Sequence, residues 1–331
     1  MENLKAEMIS DSIGHGEIIY PPKYIPVNVK DHSAWGRTVR SMLLYFAIGF
    51  FLTGGRFDFL IVIFAIILLH EFGHFLAMKF YDYADVSIFF IPLFGALTSG
   101  RKREISQKQT VVILMAGPLP GIVLGLILFF IDKNQGGVEL VKMSLTLVSQ
   151  LLIWLNILNL IPVFPLDGGQ LLNRVFLDEE GFWSNVFIIL SAIGVIWLAI
   201  STGIFLLLII PAMLIYRYVA NRKYILLEKK LLAAGLDLNK SYKELTDEEY
   251  WCIRKIIVEN MYAFSRVEPG PPFKYDIKED RIADEVETSL QRNLLMDITA
   301  VEKILVAAIW IAAIASPWIL DVEFFGNFFN Y

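Results

Sequence analysis

Cysteine is almost missing: Cys252 is the only one in 331 residues. One thiol excludes an internal disulfide framework and a thiolate-built metal site, and it reads best as a small apolar filler. Charge of one sign is also lacking. Against 34 acidic residues stand 29 basic ones, a net of -5, and the basic residues gather beside apolar runs without forming a stripe that could follow phosphates, which excludes nucleic acid as a partner. No repeat or low-complexity tract is evident. The first thirty or so residues are polar and mixed, without the basic cap, short apolar core and small-residue site of a cleavable signal.

What is abundant is apolar length. Hydrophobic residues make up 56% of the chain and mean hydropathy is +0.56, above the roughly 45–50% of soluble domains. Nearly charge-free runs lie at 35–54, 58–80, 110–131, 143–163, 183–216 and 302–320, and about 20 apolar residues cross a bilayer as a helix. The fifth run is too long for one crossing, and Ser201-Thr202-Gly203 is its polar break. A hairpin there gives seven spans; one tilted helix with a re-entrant piece is the alternative. The expected architecture is an all-α polytopic membrane protein of six to seven transmembrane helices. It divides into a polar segment 1–34, a transmembrane domain 35–216, a helical cytoplasmic domain 217–301, and a final span with a short tail at 302–331.

Positive residues in short connections stay cytoplasmic. Arg101, Lys102, Arg103 and Lys108 in one connection, and Arg217, Arg222 and Lys223 in another, fit an N-terminus on the inside of the cell membrane. The segment 217–301 carries a capping box at Thr246 and Glu249 ahead of an apolar stripe (Tyr250, Ile253, Ile256, Ile257), which reads as a packing face. Gly235 suits a helix end, and Pro269-Gly270-Pro271-Pro272 breaks the segment before a more acidic helix.

Ionisable groups nevertheless stand inside the second run, at His70-Glu71-Phe72-Gly73-His74. Positions i and i+4 share a helix face, so both imidazoles can reach one metal ion while Glu71 stands ready to move a proton. Each charged group near the bilayer centre costs about 2.5–3.5 kcal/mol, so physical cost selects against such a cluster without a function. His15 and His32 lie in the polar N-terminus with no partner at ligand spacing and read as solvated. A tetrahedral catalytic zinc takes three protein ligands and leaves one position open. Asp167 is the third candidate, presented where Pro162, Pro165, Gly168 and Gly169 break the end of the fourth run at the depth of His74. Two alternatives stay open: Asp167 as a mere helix cap, and Glu179 or Glu180 as third ligand. A zinc-binding membrane scaffold or transporter is the rival that involves no proteolysis.

Taken together, these motifs resemble the site-2 proteases, zinc metalloproteases that cut within the membrane. His70 through His74 is similar to the family's metal-binding helix, glycine included. Asn159 through Gly168 is similar to its asparagine-proline-aspartate-glycine segment, and Ala116-Gly117-Pro118 to an element of its middle core helix. The resemblance covers about residues 58–175. It implies a three-helix core, one zinc held by His70, His74 and Asp167, Glu71 as the base acting on a water at that zinc, and Asn159 near the substrate or the oxyanion. It further implies transmembrane protein substrates, contact with membrane lipid, and an active site toward the cytoplasm. Residues 217–301 resemble neither the PDZ nor the CBS modules of many relatives. The apolar, β-rich connection at 86–98 is similar to a partly embedded, sheet-forming loop in relatives, whose strand edge would receive an unwound substrate.

Overall fold

A computed structural model describes residues 20–26, 33–92, 95–102, 105–135, 139–140, 143–177, 181–290 and 294–322. His15, His32, Arg103, Glu179 and Glu180 lie outside these. The chain forms two compact units, residues 31–210 with 294–331, and residues 1–30 with 211–293.

Helices α1 (Ser33–Leu52) and α2 (Phe57–Phe80) are joined by a tight turn in which Gly54 and Gly55 take φ of +61° and +84°, values that favour glycine. The connection at 86–98 is a β-hairpin, with β1 (Ala84–Ile91) antiparallel to β2 (Gly95–Arg101) and Ile88 opposite Thr98. Helix α1 covers one edge of it. Thr38 Oγ1 donates to the Ile88 carbonyl at 2.7 Å, and the Phe90 N–H donates to Ser41 Oγ at 3.1 Å.

After the two-residue strand β3 (Ile105–Ser106), the run expected at 110–131 is two helical pieces, α3 (Gln107–Ala116) and α4 (Pro118–Gln135). Pro118 opens the second piece, where its missing N–H costs nothing. The short pair β4 (Glu139–Leu140) and β5 (Met143–Ser144) leads into α5 (Leu145–Leu160), which stops before Pro162, as a residue preceding proline is pushed out of the helical region. The short α6 (Asp167–Leu171) then runs into a π-turn at Leu172–Phe176. The double-length run breaks as its polar triplet predicts. Helix α7 (Phe182–Thr202) ends at Gly203 with φ +73°, and α8 (Ile209–Ala233) follows a 3-10 turn.

The second unit holds α9 (Asp247–Asn260), with the Thr246–Glu249 capping box formed, and the acidic α10 (Glu279–Ser289). Its core includes Tyr250, Ile253, Ile257, Phe264, Ile282 and Val286. Arg254, 1% exposed, grips Glu279 in a two-point pair at 2.7 and 3.0 Å, and the Tyr250 hydroxyl donates to the same carboxylate at 2.7 Å. Burial and that carboxylate push the Tyr250 phenol well above its ordinary pKa.

The chain returns to the first unit through β6 (Leu294–Leu295), parallel to β3, and ends in α11 (Ala300–Ile319). Four helical stretches among the described residues are long and apolar enough to cross a membrane: 57–80, 107–134, 182–202 and 300–319. Three shorter apolar helices lie at 38–52, 145–160 and 205–216. Large apolar side chains such as Trp197, Ile200 and Ile311 point outward, as helices facing lipid require.

Candidate metal centre

Helix α2 places His70, Glu71 and His74 on its inward side, and all three are buried. Gly73 lets α2 press against α3: a methyl there would strike the Ala116 carbonyl oxygen. Gly117 does the same for the His74 ring, which a side chain at 117 would displace. Asp167 arrives from the α5–α6 bend, where Gly168 packs on the Leu160 carbonyl and Gly169 on Val163, positions with no room for a Cβ.

Asp167 does not act as a helix cap; it is the first residue of α6, and its side chain turns to the histidines. Asp167 Oδ2 lies 3.1 Å from His70 Nε2 and 3.3 Å from His74 Nε2, and the two Nε2 atoms are 3.1 Å apart. The donor set fits zinc on two grounds. A tetrahedral ion with ligands at about 2.0–2.1 Å would space them about 3.3 Å apart. The second ground is tautomeric. Asn156 Nδ2 donates to the Leu152 carbonyl at 2.7 Å, so its Oδ1 faces His70 Nδ1 at 2.8 Å; His74 Nδ1 faces the Ile113 carbonyl at 2.7 Å. Both Nδ1 atoms must donate to these oxygens, which in neutral rings leaves a lone pair on each Nε2. Two lone pairs and a carboxylate oxygen converge, and Asp167 Oδ2 has no hydrogen-bond donor there. Such a buried cluster calls for a cation, and no Lys or Arg pairs with Glu71 or Asp167 among the described residues.

Glu71 lies beside this cluster, its Oε2 accepting 2.7 Å from Thr98 Oγ1 on β2. It lines a cleft of about 380 Å³ together with His70, Asn156, Asn159 and a wall that includes Leu60, Ile63 and Ile67. Asn159, expected at the substrate, faces this cleft, while its side-chain amide donates back to the Leu155 carbonyl at 3.2 Å. Asn156 and Thr98 are the residues that sequence reasoning missed. Asn156 had a signal, since it stands one turn before Asn159 on a helix that carries no charged residue. Thr98 had none.

Residues 58–142 match Peptidase family M50. The chain is 32% identical over 126 residues to a zinc metalloprotease of Methanocaldococcus jannaschii, covering 37% of this chain and 35% of that one. It is 25% identical over 128 residues to stage IV sporulation protein FB of Bacillus subtilis, covering 39% and 43%. The chain thus spans well under half the length of these relatives. A solved site-2 protease from Methanocaldococcus jannaschii aligns with 53% of this chain and 82% of its own, at 21% identity and a TM-score of 0.40.

Proposed function

We propose, on the premise that residues 58–142 belong to Peptidase family M50, that this chain is a zinc-dependent endopeptidase that cuts membrane-protein substrates within their transmembrane segments. The observation that carries this reading is the convergence of Asp167 Oδ2, from the start of α6, with His70 Nε2 and His74 Nε2 of α2, a helix long and apolar enough to span a membrane. A zinc ion held there would lower the pKa of a coordinated water from 15.7 to about 7 and polarise the scissile carbonyl.

The chain's own groups do the rest. The Glu71 carboxylate takes the proton of the attacking water and returns it to the departing amide nitrogen. Thr98 keeps one Glu71 oxygen occupied, which fixes the direction of the other. Asn156 and the Ile113 carbonyl hold the two imidazoles in register. A substrate helix must unwind first, and its freed backbone needs new hydrogen bonds. With the Ile88 carbonyl and Phe90 N–H satisfied by α1, the edge left for strand addition is that of β2 at Ala96 and Thr98, which lies over Glu71. Asn159 supplies a second polar contact across the cleft. In this reading the protein is multi-pass, with six to seven spans, and the Lys and Arg distribution turns the site toward the cytoplasm.

The test is cleavage of a reconstituted single-span substrate. Wild-type protein should cut it with a rate that a chelator abolishes and added zinc restores. Glu71→Gln should keep its zinc and cut about 10²–10⁴-fold more slowly. Full cleavage by Glu71→Gln, or none by zinc-loaded wild type against a panel of single-span substrates, would overturn the assignment.

A further inference from the structure

In the second unit, the stretch Tyr20-Pro21-Pro22-Lys23-Tyr24-Ile25-Pro26 lies extended across the helical core in the manner of a bound peptide. None of its seven residues is buried, and Ile25 is 79% exposed. Tyr20 and Tyr24 pack on the outside of a cluster whose buried members all come from residues 227–290. Three prolines fix their own φ and push Tyr20, Pro21 and Ile25, each preceding a proline, toward the polyproline II region. Little conformational freedom is left to lose on binding.

The contacts are those of peptide recognition. Trp251 Nε1 donates to the Pro21 carbonyl at 2.8 Å, the Tyr242 hydroxyl to the Tyr24 carbonyl at 2.7 Å, and the Tyr275 hydroxyl to the Pro22 carbonyl. Side chains of the helical unit thus read the main-chain carbonyls of a segment whose prolines have no N–H to offer. Aromatic faces supply the floor: Tyr20 lies 5.1 Å from Phe273, Tyr24 5.4 Å from Tyr275, and Trp251 stacks on Tyr275 at 5.7 Å. Lys23 is read individually. Its Nζ donates to the Tyr242, Lys243 and Leu245 carbonyls at 3.3, 2.7 and 2.6 Å, an arrangement made for an ammonium group. The Tyr24 hydroxyl donates to Asp280 at 2.8 Å.

We infer that the groove of Trp251, Tyr242, Phe273 and Tyr275 is a binding site for an extended proline-rich peptide of the pattern Pro-Pro-Lys-Tyr, occupied in cis by the chain's own residues 20–26. Covalent attachment gives this occupant an effective concentration in the millimolar range. A free peptide of the same sequence therefore competes poorly until the cis segment is released.

The experiment uses full-length protein in detergent with a specific protease site placed in residues 27–32, and a second protein lacking residues 1–26. A fluorescent peptide of residues 20–26 is titrated into each by anisotropy. It should bind cut or truncated protein at least about tenfold more tightly than uncut protein. Replacing Pro21 and Pro22 by Ala, or Lys23 by Ala, in the peptide should weaken binding about tenfold or more. Trp251→Phe in the cut protein should weaken it also. The inference is overturned if neither cut nor truncated protein, each still melting cooperatively, takes up the peptide, or if the alanine peptides bind as well as the parent. A dimer that requires the intact segment and dissociates on adding peptide would place the occupant in a second copy and overturn occupancy in cis.

Discussion

Asn156 carries more of the metal site than its position suggests. Its carbonyl oxygen holds His70 Nδ1 and its amide is tied to Leu152, so the ring can offer only Nε2 to the centre. Partners of this kind are commonly worth about 10–100-fold in metal affinity. Asn156→Leu is expected to lose that much in a zinc competition titration, and by leaving the buried His70 Nδ1–H without an acceptor it should also cost about 1–3 kcal/mol of stability. The spacing His70, His74 was legible because two ligands on one helix face are a local pattern. Asn156 showed only as a polar residue on an apolar run; its role as the partner of His70 was hidden, because it depends on α2 meeting α5 across 86 residues of chain. Gly73 illustrates the same limit. Its place in the motif was visible, but not the Ala116 carbonyl that makes a side chain impossible there. Gly73→Ala should push α2 from α3, cost about 1–3 kcal/mol of stability, and lower zinc affinity, both measurable on one purified sample.

At the scale of elements, the site is held where helices stop and strands turn. The end of α5 was readable from Pro162 and the two glycines, and so was the break at Ser201-Thr202-Gly203. The hairpin of β1 and β2 was readable as strand from its apolar, β-branched and aromatic residues. Its contact with Glu71 was not, since pairing of a strand residue with a helix residue leaves no periodic trace. Thr98→Val keeps the shape and removes the hydroxyl. A hydrogen bond to a charged group is worth about 1.5–3 kcal/mol, so cleavage should slow about ten- to a hundredfold with zinc content unchanged. The junction of α3 and α4 at Gly117-Pro118 was hidden within one apolar run, because hydropathy does not register a change of helix. Nor did anything local announce that Trp310 Nε1 on α11 donates to the Leu160 carbonyl at 2.8 Å. Trp310→Phe leaves that carbonyl without its donor and should cost about 1–3 kcal/mol, seen as a lower melting temperature in detergent.

Across the whole molecule, apolar length made the membrane-spanning class legible, and the capping box and the Pro-Gly cluster made the helical segment legible. That residues 20–26 join the unit of 211–293 was not, because the association runs across more than 200 residues and rests on aromatic and carbonyl contacts that have no period. Each unit has its own core, and this yields a prediction about their independence. Arg254 and Glu279 are both 1% exposed and meet in a two-point pair. Removing one partner of such a pair strands the other charge in a dry interior, at about 3–5 kcal/mol. Arg254→Met should therefore lower the unfolding temperature of the helical unit strongly. His70, His74, Asp167, Asn156 and Thr98 all belong to the other unit, so zinc affinity measured below that transition should match wild type. Equal loss of zinc affinity and helical stability would mean that the two cores fold as one.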